Sequence, residues 1–363
     1  MQLHHFLKAG IAIVALAASL GAQAASNGVT VTLSAEKNNL GKDDDVVVQV
    51  TITNTSSSPQ YMLKWHTPFD TEIEESLFDV TRDGVALPYL GAHAKRPAPT
   101  STDYYLLKPG ASHTARVELS SLYDMSVSGD YVVRYHTRSY HLFSANPGRQ
   151  ALAAGQDAGE VKSDAVSLWI DGRQPRGTVT PVAPTYASML AATAGSLSFS
   201  KCTASQQSTV SQAVGAAQAM AADGDAYLAA GHTGSRYTKW FGAVDSGRVA
   251  TIKAHYAAIK DALNNKPVTV DCGCKKTYYA YVYPTQPYTI YVCKAFWTAP
   301  LTGTDSKGGT LIHETSHFNV VASTDDWVYG QSGAASLAIS NPSQAIDNAD
   351  SHEYFGENTP ALQ

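Results

Sequence analysis

Between residues 26 and 170, apolar and polar side chains alternate in short runs. VTVTLSAE, DVVVQVTITNTS, ESLFDVTRDG, HTARVELSSL, GDYVVRYHTRSY and DAVSLWIDG are rich in Val, Thr, Ile and Tyr, and Gly, Asp, Asn and Pro separate them. A period of two sends successive side chains to opposite faces of a strand. About seven short strands at this spacing predict an all-β, immunoglobulin-like sandwich, here without a disulfide of its own. GRQPRGTVTPVAPTY, residues 172–186, is rich in Pro, Gly and Thr and reads as a linker.

Beyond the linker the period changes. ASQQSTVSQAVGAAQAMAADGDAYLAAG has helical spacing of its apolar positions, with Ser205 as the expected N-cap. DSGRVATIKAHYAAIKDALNN is a second helix, stopped by Asn265 and Pro267. A Tyr-, Thr- and Val-rich block, TVDCGCKKTYYAYVYPTQPYTIYVCKAFW, predicts a small sheet. A third helix carries GGTLIHETSHFNVVASTDDWVYG, residues 308–330, and a fourth, SGAASLAISNPSQAIDNADSHEYFGEN, is broken by Pro342. The second half is therefore expected to be α+β and mostly helical.

The chain has 363 residues, enough for two domains, and 44% hydrophobic with 16% charged residues is a globular composition. A net charge of −5 offers no footprint for nucleic acid. His4, His5 and Lys8 precede the apolar run AGIAIVALAASLGA and the small-residue triplet AQA ending at Ala24. That order reads as a secretory signal peptide, cleaved after Ala24. No later run is long and apolar enough to span a membrane. The expected division is a signal peptide over 1–24, a β-sandwich over 25–171, a linker and start of the mature chain over 172–200, and a catalytic domain over 201–363.

The four cysteines, Cys202, Cys272, Cys274 and Cys293, agree with export, because an even count in a secreted chain suggests disulfides. Of three pairings, Cys272 with Cys274 would close a strained ring. Two remain open, and Cys202–Cys272 with Cys274–Cys293 is preferred. A four-thiolate zinc site would be the other use, but Cys-x-Cys lacks the two-residue spacing of a zinc knuckle.

On a helix, His313 and His317 stand one turn apart on the same face. Both imidazoles can then reach one zinc ion at about 2.0–2.1 Å. Glu314 is not aimed at the ion but suits the role of proton acceptor for the attacking water. GGT before the helix allows close backbone approach and a tight turn. The bland alternative is a solvated helical face with two surface histidines. A catalytic zinc needs a third protein ligand. The metzincin pattern would require Gly at 320 and His at 323, and Val320 and Ser323 exclude it. A thermolysin-like arrangement would draw on Glu353 or Glu357; the nearest carboxylates are Asp325 and Asp326.

GTLIHETSHF followed by STDDWVYG resembles the aspzincin signature, His-Glu-x-x-His plus Gly-Thr-x-Asp-x-x-Tyr-Gly. From about Cys202 to the C-terminus the chain resembles the deuterolysin and peptidyl-Lys metalloendopeptidase family, with RYTKWFG, YAYVYP, CKAFWTAPLTGTDSKGGTL and NADSHEYFGENTPA carrying the likeness. The resemblance implies a zincin-type protease domain with one Zn2+ per chain, held by His313, His317 and Asp326. It implies Glu314 as catalytic base and Tyr329 as hydrogen-bond donor to the developing oxyanion. Asp325 falls at the variable position, and Ser323 replaces the motif's first Gly. Thr324 would orient a ligand or shape the turn. Asp350 and Glu353 would form an acidic pocket for a lysine on the carboxyl side of the cleaved bond. The preferred disulfide pairing fits the same branch. His232, His255 and His352 have no partner at ligand spacing and read as surface or structural residues. The tyrosines at 278–291 read as a sheet face.

A sandwich between a signal peptide and a protease domain reads as a propeptide, acting as an intramolecular inhibitor of a secreted zymogen. Within GAHAKRPAPT, Lys95 is expected to enter the acidic pocket as a substrate mimic, with the following prolines resisting cleavage. The ordinary alternative is a solvated loop. Residues 171–186 contain Arg173 and Arg176 but no lysine, so maturation falls to another protease, to Lys162 or Lys201, or to a looser specificity. The expectation is a monomeric endopeptidase cutting proteins and peptides before lysine. The rivals are a broader deuterolysin-like protease and a secreted binding or adhesion protein with a structural zinc.

Overall fold

The computed structural model describes residues 27–70, 72–144, 158–172 and 195–363. The expected signal peptide at 1–24, and Arg173 and Arg176 of the linker, lie outside the described residues.

Among its described residues the first half is built of strands, with two single 3-10 turns at Lys64–His66 and Ser101–Asp103. Val29–Ala35, Val47–Asn54 and Ser112–Glu118 form one antiparallel sheet, with Val47–Asn54 in the centre. A second sheet runs in the order Asn39–Leu40, Val166–Ile170, Gly129–Ser139, Phe78–Arg82, Val85–Ala86, and Gly159–Lys162 also pairs with Gly129–Ser139. A third joins Phe143–Ser144, Gln60–Leu63 and Tyr104–Leu107. The alternation read in the sequence does its expected work. In Gly129–Ser139, Tyr131, Val133 and Tyr135 are buried while Asp130 and Val132 face outward. The inward residues of all three sheets meet in one core with Val31, Val50, Ile52, Met62, Val80, Val117 and Leu168. Thirteen strands form among the described residues before 171, where the pattern suggested about seven. The extra ones are two to four residues long, too short to show a period.

The second half carries eight helices among its described residues: α1 (Ala204–Ala229), α2 (Ser235–Phe241), α3 (Ser246–Asn265), α4 (Lys294–Thr298), α5 (Lys307–His317), α6 (Gln331–Ser340), α7 (Pro342–Ala345) and α8 (Ala349–Glu357). No helix among them is long and apolar enough to cross a membrane. The N-cap of α1 is Thr203, not Ser205: the Thr203 hydroxyl accepts from Gln206 N, and the Gln206 side chain accepts from Thr203 N in return. The break expected at Pro342 occurs, and a second one after Ala345 separates α8. The disulfides are Cys202–Cys272 and Cys274–Cys293, so the thiols are not a zinc site.

Gly308 and Gly309 do not form a turn before α5; they lie in its first turn, capped by Ser306 Oγ, which accepts from Gly309 N. Their missing side chains allow close packing. A Cβ on Gly308 would meet Ala216 Cβ at 3.0 Å, and one on Gly309 would meet the Glu357 carboxylate at 2.2 Å. Every residue of α5 is buried. A helix carrying two histidines and a glutamate in that position is not a solvated face, and each polar group must find a partner.

The sheet of this half runs Leu197–Ser200, Val268–Asp271, Thr289–Val292, Ala280–Val282, and then His93–Lys95. The first three strands are parallel and the last two pairings antiparallel. Its outer strand is thus lent by the first half. The stretch GAHAKRPAPT is no solvated loop at this point: Lys95 pairs with Ala280, and His93 pairs with Val282.

Candidate active site

His313 and His317 point their Nε2 atoms at one another across 3.1 Å. His317 Nδ1 lies 2.7 Å from the Thr324 carbonyl, which holds the ring proton on Nδ1 and leaves Nε2 a bare lone pair. His313 Nδ1 makes no conventional hydrogen bond, but Asp350 Oδ1 lies 2.9 Å away, and the charge of that carboxylate favours the proton on Nδ1 and so the lone pair on Nε2. The Asp326 carboxylate completes the cluster, 3.3 Å from His313 Nε2 through Oδ1 and 3.5 Å from His317 Nε2 through Oδ2. Neither Asp326 oxygen has a conventional hydrogen-bond partner. Two nitrogen lone pairs and an anionic oxygen facing one point in a dry site repel one another unless a cation lies between them. The donor set, two imidazoles and one carboxylate, fits zinc.

Asp326 reaches this point because the chain reverses after α5. Ser323 sits at φ +52°, the left-handed region, so serine adopts there the conformation that the glycine of the motif takes without strain. Thr324 orients His317 through its backbone carbonyl, while its hydroxyl meets Ser316 Oγ at 2.6 Å. Asn348 Oδ1 accepts from Trp327 N and Val328 N, tying the loop to the start of α8. Asp325 turns to its own backbone, its Oδ1 accepting from Asp326 N. Gly330, at φ +83°, donates its N–H to Asp350 Oδ2 at 2.6 Å.

The strand His93–Lys95 crosses this cluster. Lys95 N donates to Glu314 Oε1 at 3.2 Å, and the Tyr329 hydroxyl donates to the Ala94 carbonyl at 3.1 Å. Arg96 Nη1 donates to the Tyr329 hydroxyl at 3.1 Å and is held by Glu75 at 2.5 Å. Glu314 is buried, its Oε2 has no partner, and burial pushes its carboxyl up to about 7 against the pull of His313 and His317.

The Lys95 side chain is 0% exposed. Its Nζ lies 2.6 Å from Glu353 Oε2, 3.3 Å from Asp305 Oδ1 and 3.4 Å from Asp350 Oδ1. The rings of Tyr279 and Tyr354 flank the ammonium at 5.0 and 5.6 Å. Burial opposes the charge, but Asp350, Glu353 and Asp305 outweigh it and hold the lysine pKa well above its ordinary value. Asp350 serves both neighbours, the pocket and His313. Asp305 and Tyr279 were missed in the sequence. Asp305 stands just before α5, and its Oδ1 accepts from the Tyr354 hydroxyl at 2.7 Å. Glu357 is no metal ligand: it accepts from Asp305 N and Ser306 N. His352 is buried, and its Nε2 lies 3.0 Å from His255 Nδ1, so these two histidines are each other's partners. Tyr281 and Tyr291 stack at 4.6 Å on the sheet face.

Residues 226–357 match the aspzincin family model described as lysine-specific metallo-endopeptidase. An extracellular protease of Aeromonas hydrophila is 47% identical over 323 residues, covering 88% of this chain and 90% of that protein. The peptidyl-Lys metalloendopeptidase of Armillaria mellea is 34% identical over 96% of this chain and 97% of its own length. That of Pleurotus ostreatus is 50% identical over 45% of this chain and 98% of its own length. The chain is a metalloendopeptidase, and its substrates are proteins or peptides. It belongs to the aspzincin family.

Proposed function

We propose that this protein is a secreted, monomeric zinc endopeptidase that cuts on the amino side of lysine and is made as a latent precursor. In this reading residues 1–24 are a signal peptide, 25–171 an immunoglobulin-like inhibitory propeptide, 172–200 the linker and start of the mature chain, and 201–363 the catalytic domain. One zinc ion is held by His313, His317 and Asp326. When bound, zinc supplies Lewis acidity, polarising the scissile carbonyl and easing ionisation of water.

The protein's own groups do the rest. Substrate adds as an antiparallel strand to Ala280–Val282, taking its backbone hydrogen bonds from a free sheet edge. Glu314 takes a proton from the attacking water and returns it to the leaving amine. Tyr329 donates its hydroxyl hydrogen to the carbonyl oxygen as negative charge grows there. Glu353, Asp350 and Asp305 hold the lysine ammonium.

The Ala94–Lys95 peptide bond is the observation that supports this reading. Its carbonyl stands in for a scissile carbonyl against Tyr329, and its nitrogen for the leaving amine against Glu314. Its lysine ammonium, buried against Glu353, stands in for the substrate's. The same contacts support latency, since a strand lying there excludes substrate.

Digestion of a peptide library by the processed, zinc-loaded enzyme, beside Glu314→Gln, tests the proposal. Cleavage before lysine by the wild type, with none by the variant, is expected. Cleavage without lysine preference would favour the broader protease, and no turnover would favour the binding protein.

A further inference from the structure

The strand that crosses the site carries an imidazole with no assigned role. His93 and Lys95 are two residues apart on one strand, so both side chains leave the same face, toward α5. Lys95 fills the acidic pocket; His93 goes to the metal cluster. A ring nitrogen of His93 and the ligand atoms of His317 and Asp326 all lie within 4.8 Å of one another. The two rings are 5.1 Å apart between centroids. His93 Nδ1 is buried without a hydrogen-bond partner, and the Asp325 carboxylate beside it is 3.8 Å away, beyond hydrogen-bond reach.

We propose that in the full-length chain His93 is a fourth protein ligand to the metal ion held by His313, His317 and Asp326. The inference rests on the metal-binding reading of that trio. It accounts for a tension in the geometry: Ala94–Lys95 lies between Tyr329 and Glu314 as a substrate would, yet the strand acts as an inhibitor. Hydrolysis needs one coordination position open to solvent. An imidazole in that position leaves the aligned peptide bond without a nucleophile. Four protein ligands are the mark of a closed, structural zinc site. Here the fourth rides on a segment that also occupies the lysine pocket, so both contacts leave together when the first half departs.

The test is X-ray absorption at the zinc edge of the zinc-loaded full-length chain, in a Glu314→Gln background that keeps the chain uncut. Three imidazoles are expected at zinc, falling to two with a gained oxygen when His93→Ala is added. Two imidazoles and two oxygens in the chain that retains His93 would overturn the proposal while leaving the His313, His317 and Asp326 assignment standing. No zinc bound at all would overturn both. The measurement on the chain that retains His93 decides even where the His93→Ala form does not fold.

Discussion

Lys95→Ala is the perturbation that bears most directly on the proposed latency. In the docked state the Lys95 ammonium touches Glu353, Asp305 and Asp350, two of them fully buried. Alanine removes the cation and leaves carboxylates crowded in a dry pocket. Breaking a buried ion pair by removing one partner costs about 3–5 kcal/mol. Asp305 is partly exposed and His313 still faces Asp350, so the lower end applies, about 3 kcal/mol. The backbone pairing of His93–Lys95 with Ala280–Val282 survives the substitution, so docking is weakened rather than abolished. At about 1.4 kcal/mol per tenfold, the open fraction rises by roughly two orders of magnitude. The assay is the initial rate of hydrolysis of a fluorogenic lysyl peptide by the full-length protein, with mass spectrometry confirming that the chain is still uncut. A rate rise of about 10²-fold over wild type is expected. A Lys95→Ala protein that folds normally and stays as latent as the wild type would refute the reasoning. Lys95→Arg keeps the charge but brings a planar fork to a pocket fitted around a point charge, so an intermediate loss of latency is expected.

Three further outcomes follow from the same geometry. Asp326→Ala should lose both bound zinc and turnover, read by metal analysis and peptide hydrolysis; retention of either would refute its assignment as ligand. Asp305→Asn in the processed enzyme should lower kcat/KM for lysyl peptides about fivefold, the modest effect proper to a half-exposed carboxylate; an unchanged value would remove Asp305 from the pocket. Ser323→Gly should raise stability by about 0.5–1 kcal/mol by relieving a left-handed serine, less the loss of its hydrogen bond to Asn319. Thermal unfolding measures it, and a destabilised variant would show that the serine is not strained.

What the sequence by itself determined was local. A glutamate flanked by histidines four apart implies two imidazoles on one helical face, because the helix repeats every 3.6 residues. The alternating runs before residue 170 imply strands with one buried face, and most of the long ones form where they were read. Asp326, Tyr329, Asp350 and Glu353 could be named only through the family's motifs, since nothing in local spacing tells which later carboxylate returns to the helix. Asp305 and Tyr279 escaped even that, because their role exists only where a lysine 210 and 184 positions earlier in the chain meets them. The strand His93–Lys95 shows no alternation to read. It is a strand because the edge of a sheet some 185 residues later offers it unpaired backbone groups. Tertiary structure alone decided that α5 would be buried at every residue, and that burial gives the site its force. Once water is excluded, lone pairs need a cation and carboxylates need an ammonium, and only distant segments of the chain can supply them.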